Sequence, residues 1–560
     1  MRALLAVGLL ALQATSAAAT VVLVEVSPTI AGRWQPITIA VELLLDPARS
    51  PAWALERLRE SRIREQLQDH VEWLSEQVPT PEQALLLPHG VRRLRALYRV
   101  RTGKPGWLRL PPLRLSPALQ AEPIALPAVL VYTYRPELAQ SLSATFALVA
   151  ERRTGFRPQL RVLQYGSAFL LRPDVLVTSF HVLVGAEQAR VRLDETRELV
   201  LDRAWWADPQ NDVVLLYVPP QQWHRLGLNP PVLSVRPAPP EPDMPVFALG
   251  WPGGVFTTTT GLWESALHMP GRAPQHVSTN AVFPGLSGGV LVDSLGRGIG
   301  MIISGQGDRR AASPRSGPQA NVCVAVDLRW IEQVLERLST PPRPLRTLVG
   351  ERIIRENPYA LAMTLERWAE AFAQLAPREQ EAQMARLGRL LARDTADAGL
   401  WYLVGSALLR LGRRAEAEAA LRRALQLFPE HFAARYGLAV LYLTQRRPQE
   451  ARMLWQELLR YRSLRTLAAY GLARSYLGEG RYERALLLLQ ELVRGQPEFA
   501  AGVFWLAYCE LMQERPDMAL LWEAWLAYLE PLWARQLALI RTTPLLHPMR
   551  PLELPLVALY

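Results

Sequence analysis

Three short stretches of the sequence hold residues whose types could support nucleophilic chemistry. His181 follows the strand-like run VLVTS, Asp212 opens the apolar run DVVLLYV, and Ser287 lies between glycines in FPGLSGGVL. A serine hydroxyl is a weak nucleophile at neutral pH, and an imidazole oriented by a carboxylate can take its proton. Alone, each residue has an ordinary interpretation: a structural histidine, a turn aspartate beside Asn211, and a serine in a glycine turn. Their order along the chain, His, Asp, Ser, is that of one known triad arrangement, which favours interpreting them together.

Longer motifs surround these residues. They read GSAFLL…VLVTSFHVL, ALGWPGGVFTTTTGLWES, PGLSGGVL and GRGIGMIIS. Together they resemble the chymotrypsin-fold serine proteases, most closely the HtrA-type bacterial branch, over residues 155–335. The resemblance implies that His181 is the general base, that Asp212 holds its tautomer, and that Ser287 is the nucleophile. It also implies an oxyanion hole formed by the backbone N–H groups of Gly285 and Ser287.

Two features depart from the pattern of that family. Leu286 precedes Ser287, whereas digestive members carry Asp there and HtrA-type members often carry Asn. Because leucine is bulkier and apolar, it could alter the oxyanion loop. In addition, HtrA-type enzymes usually carry C-terminal PDZ domains, and this chain carries helical repeats. Segments 280–283 and 302–305, implied to border the first substrate pocket, contain no acidic residue, so we expect an apolar preference.

The helical part repeats with a constant step of 34 residues. The positions in register are Ala417, Ala451, Ala485 and Ala519; Gly405, Ala439, Ala473 and Ala507; and Pro429, Ser463, Pro497 and Pro531. This period resembles the tetratricopeptide repeat, whose units stack into a superhelix with a groove that binds a peptide or a partner helix. Four repeats are predicted over 398–531, after a helical linker or degenerate repeat at 341–397.

The N-terminal part alternates in places and is rich in Val and Ile. It predicts two strands in 20–46, a charged amphipathic helix over 52–77, and further strands at 91–101, 106–114 and 123–134. The segments VSPTIAGRWQPITIAVEL and GWLRLPPLRL weakly resemble the immunoglobulin-like modules of bacterial BatD proteins, which implies protein binding. We therefore expect a β-sandwich-like module with a helical insertion over 20–140.

The predicted fold class is multidomain, as expected for 560 residues. The N-terminal β-sandwich-like module precedes a double β-barrel, chymotrypsin-like domain at 145–340. An all-α tetratricopeptide solenoid and a tail at 532–560 complete the chain.

The first residues, MRALLAVGLLALQATSAAAT, combine one positive charge, an apolar run and small residues at 17–19. This pattern predicts a signal peptide over 1–19, cleaved near Ala19, and therefore a periplasmic or otherwise exported protein. The apolar run is too short to span a bilayer, and no later segment offers eighteen uncharged apolar residues. A membrane-spanning protein is not expected.

Charge and cysteine content argue against a nucleic-acid partner, a disulfide and a metal site. The net charge of +11 comes almost entirely from arginine, with Lys104 the one lysine, and no dense basic block indicates nucleic-acid binding. Cys323 and Cys509 fall in different predicted domains, which favours buried thiols over a disulfide or metal site. No His, Cys and carboxylate cluster has metal-ligand spacing, so neither a metal nor another cofactor is expected.

Two functional hypotheses follow from these residues. One is an exported serine endopeptidase whose repeats recruit protein partners or substrates. The other is a pseudoprotease that acts as a cell-envelope interaction scaffold. The presence of His181, Asp212, Ser287 and Gly285 together favours the enzyme, and Leu286 keeps the scaffold open.

Overall fold

The structure is a computed structural model that describes residues 20–542, except 28–29, 33–34, 105, 127, 133–140, 142, 155–156, 194–196, 307–320, 368 and 393–395. The chain forms two compact units. One unit contains the N-terminal module and residues from 476 onward, and the other contains the middle domain and the helices up to residue 475. The predicted signal peptide and residues 543–560 of the predicted tail lie outside the described residues.

Two β-sheets and two short helices make up the N-terminal module. Its elements are β1 (Thr20–Ser27), β2 (Ile30–Gly32), β3 (Ile37–Leu45), α1 (Pro51–Glu60), α2 (Ile63–Leu67), β4 (Glu72–Gln77), β5 (Leu85–Leu86), β6 (Arg92–Arg101), β7 (Gly106–Leu108) and β8 (Val129–Tyr132). The first sheet has the order β1-β3-β6-β4, with β5 on β6, and the second has the order β2-β8-β7. Alternate residues of β6 point into one apolar core that also takes side chains from β8 and α1. This agrees with the β-rich prediction, and the immunoglobulin-like resemblance stays a prediction.

The predicted helix over 52–77 is wrong in its second half. Helix α1 ends at Glu60, Arg62 takes a left-handed φ of 47°, and α2 ends at Leu67. Residues 72–77 instead form strand β4, which pairs with the edge of β6. Trp73 on β4 packs against the apolar core. Sheet pairing and this burial outweigh the helical propensity of the charged residues around them.

The first half of the middle domain is a sheet with two short helices. Its elements are β9 (Thr145–Thr154), β10 (Arg157–Arg172), β11 (Val175–Ser179), α3 (Phe180–Leu183), β12 (Ala186–Arg192), β13 (Glu198–Leu201), β14 (Arg203–Asp208), β15 (Val213–Tyr217) and α4 (Pro220–Arg225). The strand order is β13-β12-β9-β10-β11-β15-β14. Strands β11 and β15 are antiparallel, so the end of β11 lies beside the start of β15. Both strands are buried along most of their length.

The second half is a closed six-stranded barrel. It consists of β16 (Pro245–Gly250), β17 (Thr257–Leu267), β18 (Gln275–Ser278), β19 (Val290–Asp293), β20 (Gly298–Gln306) and β21 (Val322–Asp327), in the order β16-β17-β18-β21-β20-β19. Helix α5 (Leu328–Arg337) follows and is N-capped by Asp327. Strand β22 (Arg343–Pro344) pairs with β14 and extends the first sheet. The predicted multidomain, chymotrypsin-like fold class is confirmed; of the two predicted barrels, the second is closed and the first forms an eight-stranded sheet.

The rest of the chain is helical. A linker of five helices, α6 (Leu345–Val349), α7 (Glu351–Glu356), α8 (Pro358–Arg367), α9 (Ala369–Ala373) and α10 (Pro377–Leu391), precedes four helix pairs. The pairs are α11 (Ala398–Arg410) with α12 (Arg414–Leu427), α13 (Phe432–Thr444) with α14 (Pro448–Leu458), α15 (Arg465–Gly478) with α16 (Tyr482–Gly495), and α17 (Ala500–Met512) with α18 (Pro516–Leu529). A final helix, α19 (Pro531–Thr542), includes residues 532–542, which were assigned to a tail from the sequence. Within the described residues, no helix has the length and apolar character to cross a membrane.

The last repeats pack against the N-terminal module within their compact unit. The Arg93 guanidinium lies over the rings of Trp525 and Tyr528, at 4.4 and 4.9 Å from their centroids, and pairs with Glu42 at 2.8 Å. Glu523 of α18, with a buried side chain, contacts His89 Nε2 at 2.7 Å. Arginine over aromatic faces and a paired buried carboxylate both stabilise this contact.

Gly471 in α15 provides a test of repeat packing. A Cβ atom there would overlap the fully buried indole ring of Trp455. We expect Gly471→Ala to lower the free energy of unfolding by about 1–3 kcal/mol, because the ring has no room to move. Gly388→Ala in α10 is the matched control: that position is exposed with open space around it, and alanine favours the helix by about 0.5–1 kcal/mol. Thermal unfolding checks both, and equal midpoints for the two variants would contradict the close packing.

Candidate active site

His181 and Asp212 lie together because two paired strands end side by side. Strand β11 runs into the single helical turn α3, which contains His181, and Asp212 immediately precedes β15. The register pairs Ser179 with Val213, and the Phe180 N–H donates to the Asp212 carbonyl at 3.0 Å. The 31 residues that separate His181 from Asp212 in the sequence therefore fold into one local contact.

The Asp212 carboxylate binds His181 twice. One oxygen accepts the backbone N–H of His181 at 2.8 Å, and the other lies 2.6 Å from Nδ1 of the ring. An ionised carboxylate only accepts hydrogen bonds, so Nδ1 carries the proton and Nε2 of the neutral ring keeps its lone pair. Asp212 itself has φ of 60°, in the left-handed region that aspartate tolerates better than most residues. The pair is thus arranged to present Nε2 as a base.

Ser287 lies in a loop whose shape depends on glycine. Gly285 and Gly288 have φ of 99° and 83°, conformations that L side chains rarely adopt. A Cβ atom on Gly285 would lie 2.9 Å from Cα of Pro252, in a short 3-10 turn of the barrel. Ser167 holds the loop from β10: its N–H donates to the Ser287 carbonyl and its hydroxyl donates to the Gly285 carbonyl, both at 2.8 Å.

Two amide groups of this loop are left without an acceptor. Among the described residues, neither the Gly285 N–H nor the Ser287 N–H donates a hydrogen bond, although the next amide, that of Gly288, donates to the Ile302 carbonyl at 2.8 Å. Buried or half-buried backbone amides are normally paired. A pair of unpaired amides separated by one residue is the donor arrangement that an oxyanion hole requires.

Leu286, the residue that departs from the family pattern, packs inward. It is fully buried in the barrel core beside Val282, Leu291 and Ile302. The Leu286 N–H donates to the Phe283 carbonyl at 2.9 Å, and the Leu286 carbonyl accepts from Gly289 at 2.8 Å. The leucine side chain therefore anchors the loop in the core, and its neighbours' amides remain unbonded.

The serine loop lies against the end of β11, close to His181. A Cβ atom on Gly288 would overlap Ser167 and Thr178, and would lie 3.1 Å from the Ser179 nitrogen. The His181 Nε2 atom is buried and has no hydrogen-bond partner among the described residues. The structure therefore joins Asp212 to His181 and brings the Ser287 loop next to them, without a hydrogen bond between Ser287 and the imidazole.

Burial and nearby charges shift the pKa of His181. The ring is almost entirely buried, and the loss of hydration lowers its pKa below the ordinary value near 6.5. The positive charge of Arg367 lowers the pKa further, whereas Asp212 and Glu366 act in the opposite direction. The net shift keeps the imidazole neutral, the form that accepts a proton, to lower pH than in water.

A cavity of about 210 Å³ opens beside this pair. Its lining includes His181 and Asp212, barrel residues from β17 to β21, and residues of helices α8, α11 and α13. Sequence reasoning missed the helical contribution, and also the cluster formed by Gln210, Arg272, Tyr359 and Asp397 at its edge. These residues are up to 187 positions apart in the sequence, and no local motif marks them.

Comparisons with known proteins identify the two domain types. The middle domain matches the family model described as a trypsin-like peptidase domain over residues 166–301, and the helical region matches the tetratricopeptide repeat model over 402–463 and 470–529. The chain therefore contains a trypsin-like peptidase domain followed by tetratricopeptide repeats. Both predictions are confirmed at this level.

Similar curated proteins and solved structures include mycobacterial and HtrA-type proteases. Serine proteases MT3772 and Rv3671c of Mycobacterium tuberculosis are each 30% identical over 241 residues, which is 39% of this chain and 57% of theirs. The chain thus spans little more than half the length of these relatives. The active form of the Rv3671c protease has a TM-score of 0.31 at 22% identity, covering 38% of this chain and 89% of that one. The HtrA-type protease AlgW with a tripeptide has a TM-score of 0.30 at 22% identity, covering 37% and 63%.

The oxyanion donors can be tested at Gly285. Alanine at a φ of 99° and 2.9 Å from Pro252 must move the loop backbone, which displaces the Gly285 N–H. We expect Gly285→Ala to slow labelling of Ser287 by a fluorophosphonate about 100-fold, the scale of losing one oxyanion donor. Gly227→Ala is the control, because it places alanine at a φ of 65° in open space outside the serine loop. Equal labelling rates for both variants would contradict the assignment.

The pH dependence of labelling follows from the depressed pKa of His181. Because only the neutral ring accepts the serine proton, a lowered pKa moves the acid limb of the rate profile below pH 6.5. Arg367→Ala removes a charge that disfavours the imidazolium and should move this limb to higher pH, whereas Arg367→Lys retains the charge and the wild-type midpoint. Labelling rates measured between about pH 4.5 and 8 give the midpoint of the acid limb for wild type and the two variants. A wild-type midpoint above 6.5 contradicts the inferred direction.

Proposed function

We propose that the protein is an exported serine endopeptidase in which His181, Asp212 and Ser287 form the catalytic triad. One observation carries this proposal: a carboxylate oxygen of Asp212 lies 2.6 Å from Nδ1 of His181, which leaves Nε2 as the basic nitrogen. The adjoining serine loop supports it with two unbonded amides beside Ser287. The peptidase-domain match and the relatives named serine proteases agree with this chemistry.

The proposed reaction has two stages, formation and hydrolysis of an acyl group on Ser287, and His181 transfers a proton in each. Ser287 Oγ attacks the substrate carbonyl while His181 Nε2 takes the hydroxyl proton, and Asp212 stabilises the imidazolium that forms. The carbonyl oxygen becomes an oxyanion that accepts hydrogen bonds from the Gly285 and Ser287 amides. His181 then gives its proton to the leaving amine as the C–N bond breaks. A water molecule, deprotonated by the same nitrogen, attacks the acyl group, and His181 returns the proton to Ser287 Oγ as the ester bond breaks.

The unpaired Nε2 of His181 favours a second candidate, a catalytically inactive scaffold. In a free enzyme, however, catalytic hydrogen bonds are often long and shorten only when substrate is bound. Gly285, Gly288 and Asp212 all have a positive φ, which restricts the residues that each position tolerates. A scaffold has no need to retain such strained positions. These restrictions make the enzyme the better-supported function.

The repeats and the N-terminal sequence supply the remaining parts of the proposal. Tetratricopeptide repeats bind peptides and helices along their inner surface, so they are assigned the recruitment of protein partners or substrates. The signal-peptide pattern of residues 1–19 supports the proposal that the protein is exported. The scattered arginines do not support a nucleic-acid partner.

Fluorophosphonate labelling tests the proposed triad directly. The purified mature protein should be labelled at Ser287, and Ser287→Ala should abolish labelling. His181→Ala should reduce the labelling rate at least about 1,000-fold, because it removes the base of the proposed triad. Asp212→Asn should reduce it by a similar order, since an amide cannot hold the same tautomer.

Ser294→Ala is the matched control, since Ser294 lies in the turn after β19 and outside the site. Mass spectrometry of the labelled peptide locates the modified residue, and thermal unfolding establishes that each variant is folded. Folded wild-type protein that never labels, across pH and with peptide substrates present, would support the scaffold and contradict the enzyme.

A further inference from the structure

The cavity beside His181 is built by two parts of one compact unit. One wall belongs to the barrel and includes Met269 and Val324. The facing wall belongs to the helical region and includes Met363 of α8, Leu403 of α11 and Phe432 of α13. The barrel and these helices lie in the same unit of the chain. A side chain that entered the cavity would touch the imidazole on one side and repeat residues on the other.

The helical wall is joined to the barrel by a buried ionic cluster. Asp397, the N-cap of α11, accepts hydrogen bonds from Arg272 Nε at 2.9 Å, Gln210 Nε2 at 2.9 Å and Tyr359 Oη at 2.9 Å. The Arg272 and Asp397 side chains are only 7% and 6% exposed. Separating such a pair leaves uncompensated buried charge, which opposes opening. The wall is therefore a fixed part of the site.

A second contact attaches the helical region to the barrel further along the chain, between α14 and α15. Glu264 on β17 accepts the backbone N–H groups of Arg462 and of Ser463, the latter at 3.1 Å, before α15 begins. Arg462 also pairs with Asp243. The helical region is therefore attached to the barrel at two separate points, one of them on the helical wall itself.

The size and lining of the cavity define what it accepts. Its volume of about 210 Å³ exceeds the roughly 150 Å³ cavity that binds benzene, and is below the roughly 300 Å³ at which small-molecule pockets begin. Arg272 pairs with Asp397 and Glu366 with Arg410, so these two charges are satisfied, whereas the charged Arg367 is exposed. The side chains named above on the two walls are aliphatic, aromatic or methionine, which favours one large apolar side chain.

The neighbouring strand offers a path for a peptide backbone. Strand β19 pairs with β20 as far as Met301, and from Ile303 onward this edge of β20 has no partner strand among the described residues. Ile303 and Ser304 also line the cavity. An extended peptide that paired with this edge would direct alternate side chains to one face, as in other β-strand additions.

We propose that this cavity is a substrate subsite, and that α8, α11 and α13 select a large apolar side chain of a residue flanking the scissile bond. The inference rests on the proposed peptidase function. It assigns the repeats a direct part in specificity through Leu403 and Phe432, and the linker helix α8 a part through Met363, in addition to any partner that the repeats recruit.

The test alters the cavity volume in both directions and measures which peptides are cleaved. Ala433 of α13 lines the cavity and is half-buried, so Ala433→Phe should fill it, and Leu403→Ala should enlarge it. A peptide mixture varied on both sides of the cleaved bond is incubated with full-length protein. Rates are expressed per fluorophosphonate-reactive Ser287, which removes differences in triad competence.

Wild-type protein should prefer Leu, Met or Phe at one flanking position. Ala433→Phe should shift that preference toward Ala or Val by at least about 10-fold, the scale of one or more methylene groups in an apolar pocket. Leu403→Ala should shift it toward Phe or Trp. Ala419→Phe, at an exposed position of α12 outside the cavity, should leave the profile unchanged.

Labelled protein whose cleavage profile is the same in all variants would overturn the subsite and leave the peptidase function standing. Wild-type protein that never labels would contradict the peptidase function, and the subsite with it. Tyr359→Phe weakens the buried cluster by one hydrogen bond. If this variant raised labelling and cleavage of all peptides equally, the helices would be a movable cover over His181, which also overturns the proposal.

Discussion

The contact between Asp212 and His181 is the interaction on which the candidate site depends. One carboxylate accepts both the backbone N–H and the ring N–H of the same residue, so it fixes the turn as well as the imidazole. The left-handed conformation of Asp212 costs about 1–3 kcal/mol, and charge-assisted hydrogen bonds of this kind offset such a cost. The antiparallel register of β11 and β15 makes the geometry possible, because it ends both strands at the same level.

Glycine sets the distance between this pair and the serine loop. Gly288 lies so close to Ser167, Thr178 and Ser179 that no side chain fits between the loop and β11. Gly166 is in similar contact with Val182, next to His181, and its missing Cβ would lie 2.6 Å from Val182 Cγ1. The glycines around Ser287 are thus explained by backbone approach as well as by positive φ. This gives a physical reason for the FPGLSGGVL motif that its turn propensity alone does not supply.

Local sequence patterns predicted the peptidase domain, the repeats and the strands that lead to His181 and follow Asp212. The apolar runs before His181 and after Asp212 predicted strands, and the 34-residue step predicted the four helix pairs, because both signals lie within short windows. The strand β4 was mispredicted because its partner on β6 lies about 25 residues away and cannot be read from EWLSEQ itself. The Arg272–Asp397 cluster was beyond prediction for the same reason: its members become neighbours only when the helices pack on the barrel. The catalytic roles of His181, Asp212 and Ser287 stay predictions.

The repeats bind parts of their own chain on both sides of residue 475. Up to that point they contact the barrel through Asp397 and Arg462, and beyond it they contact the N-terminal module through Trp525 and Glu523. Repeat stability depends on neighbouring interfaces, so each attachment stabilises the repeats of its own unit. A partner recruited by the repeats must therefore use surface that these contacts leave open. Helix α11 is attached to the barrel at Asp397 and also lines the cavity beside His181, so this helix belongs to the candidate site as well as to the repeats.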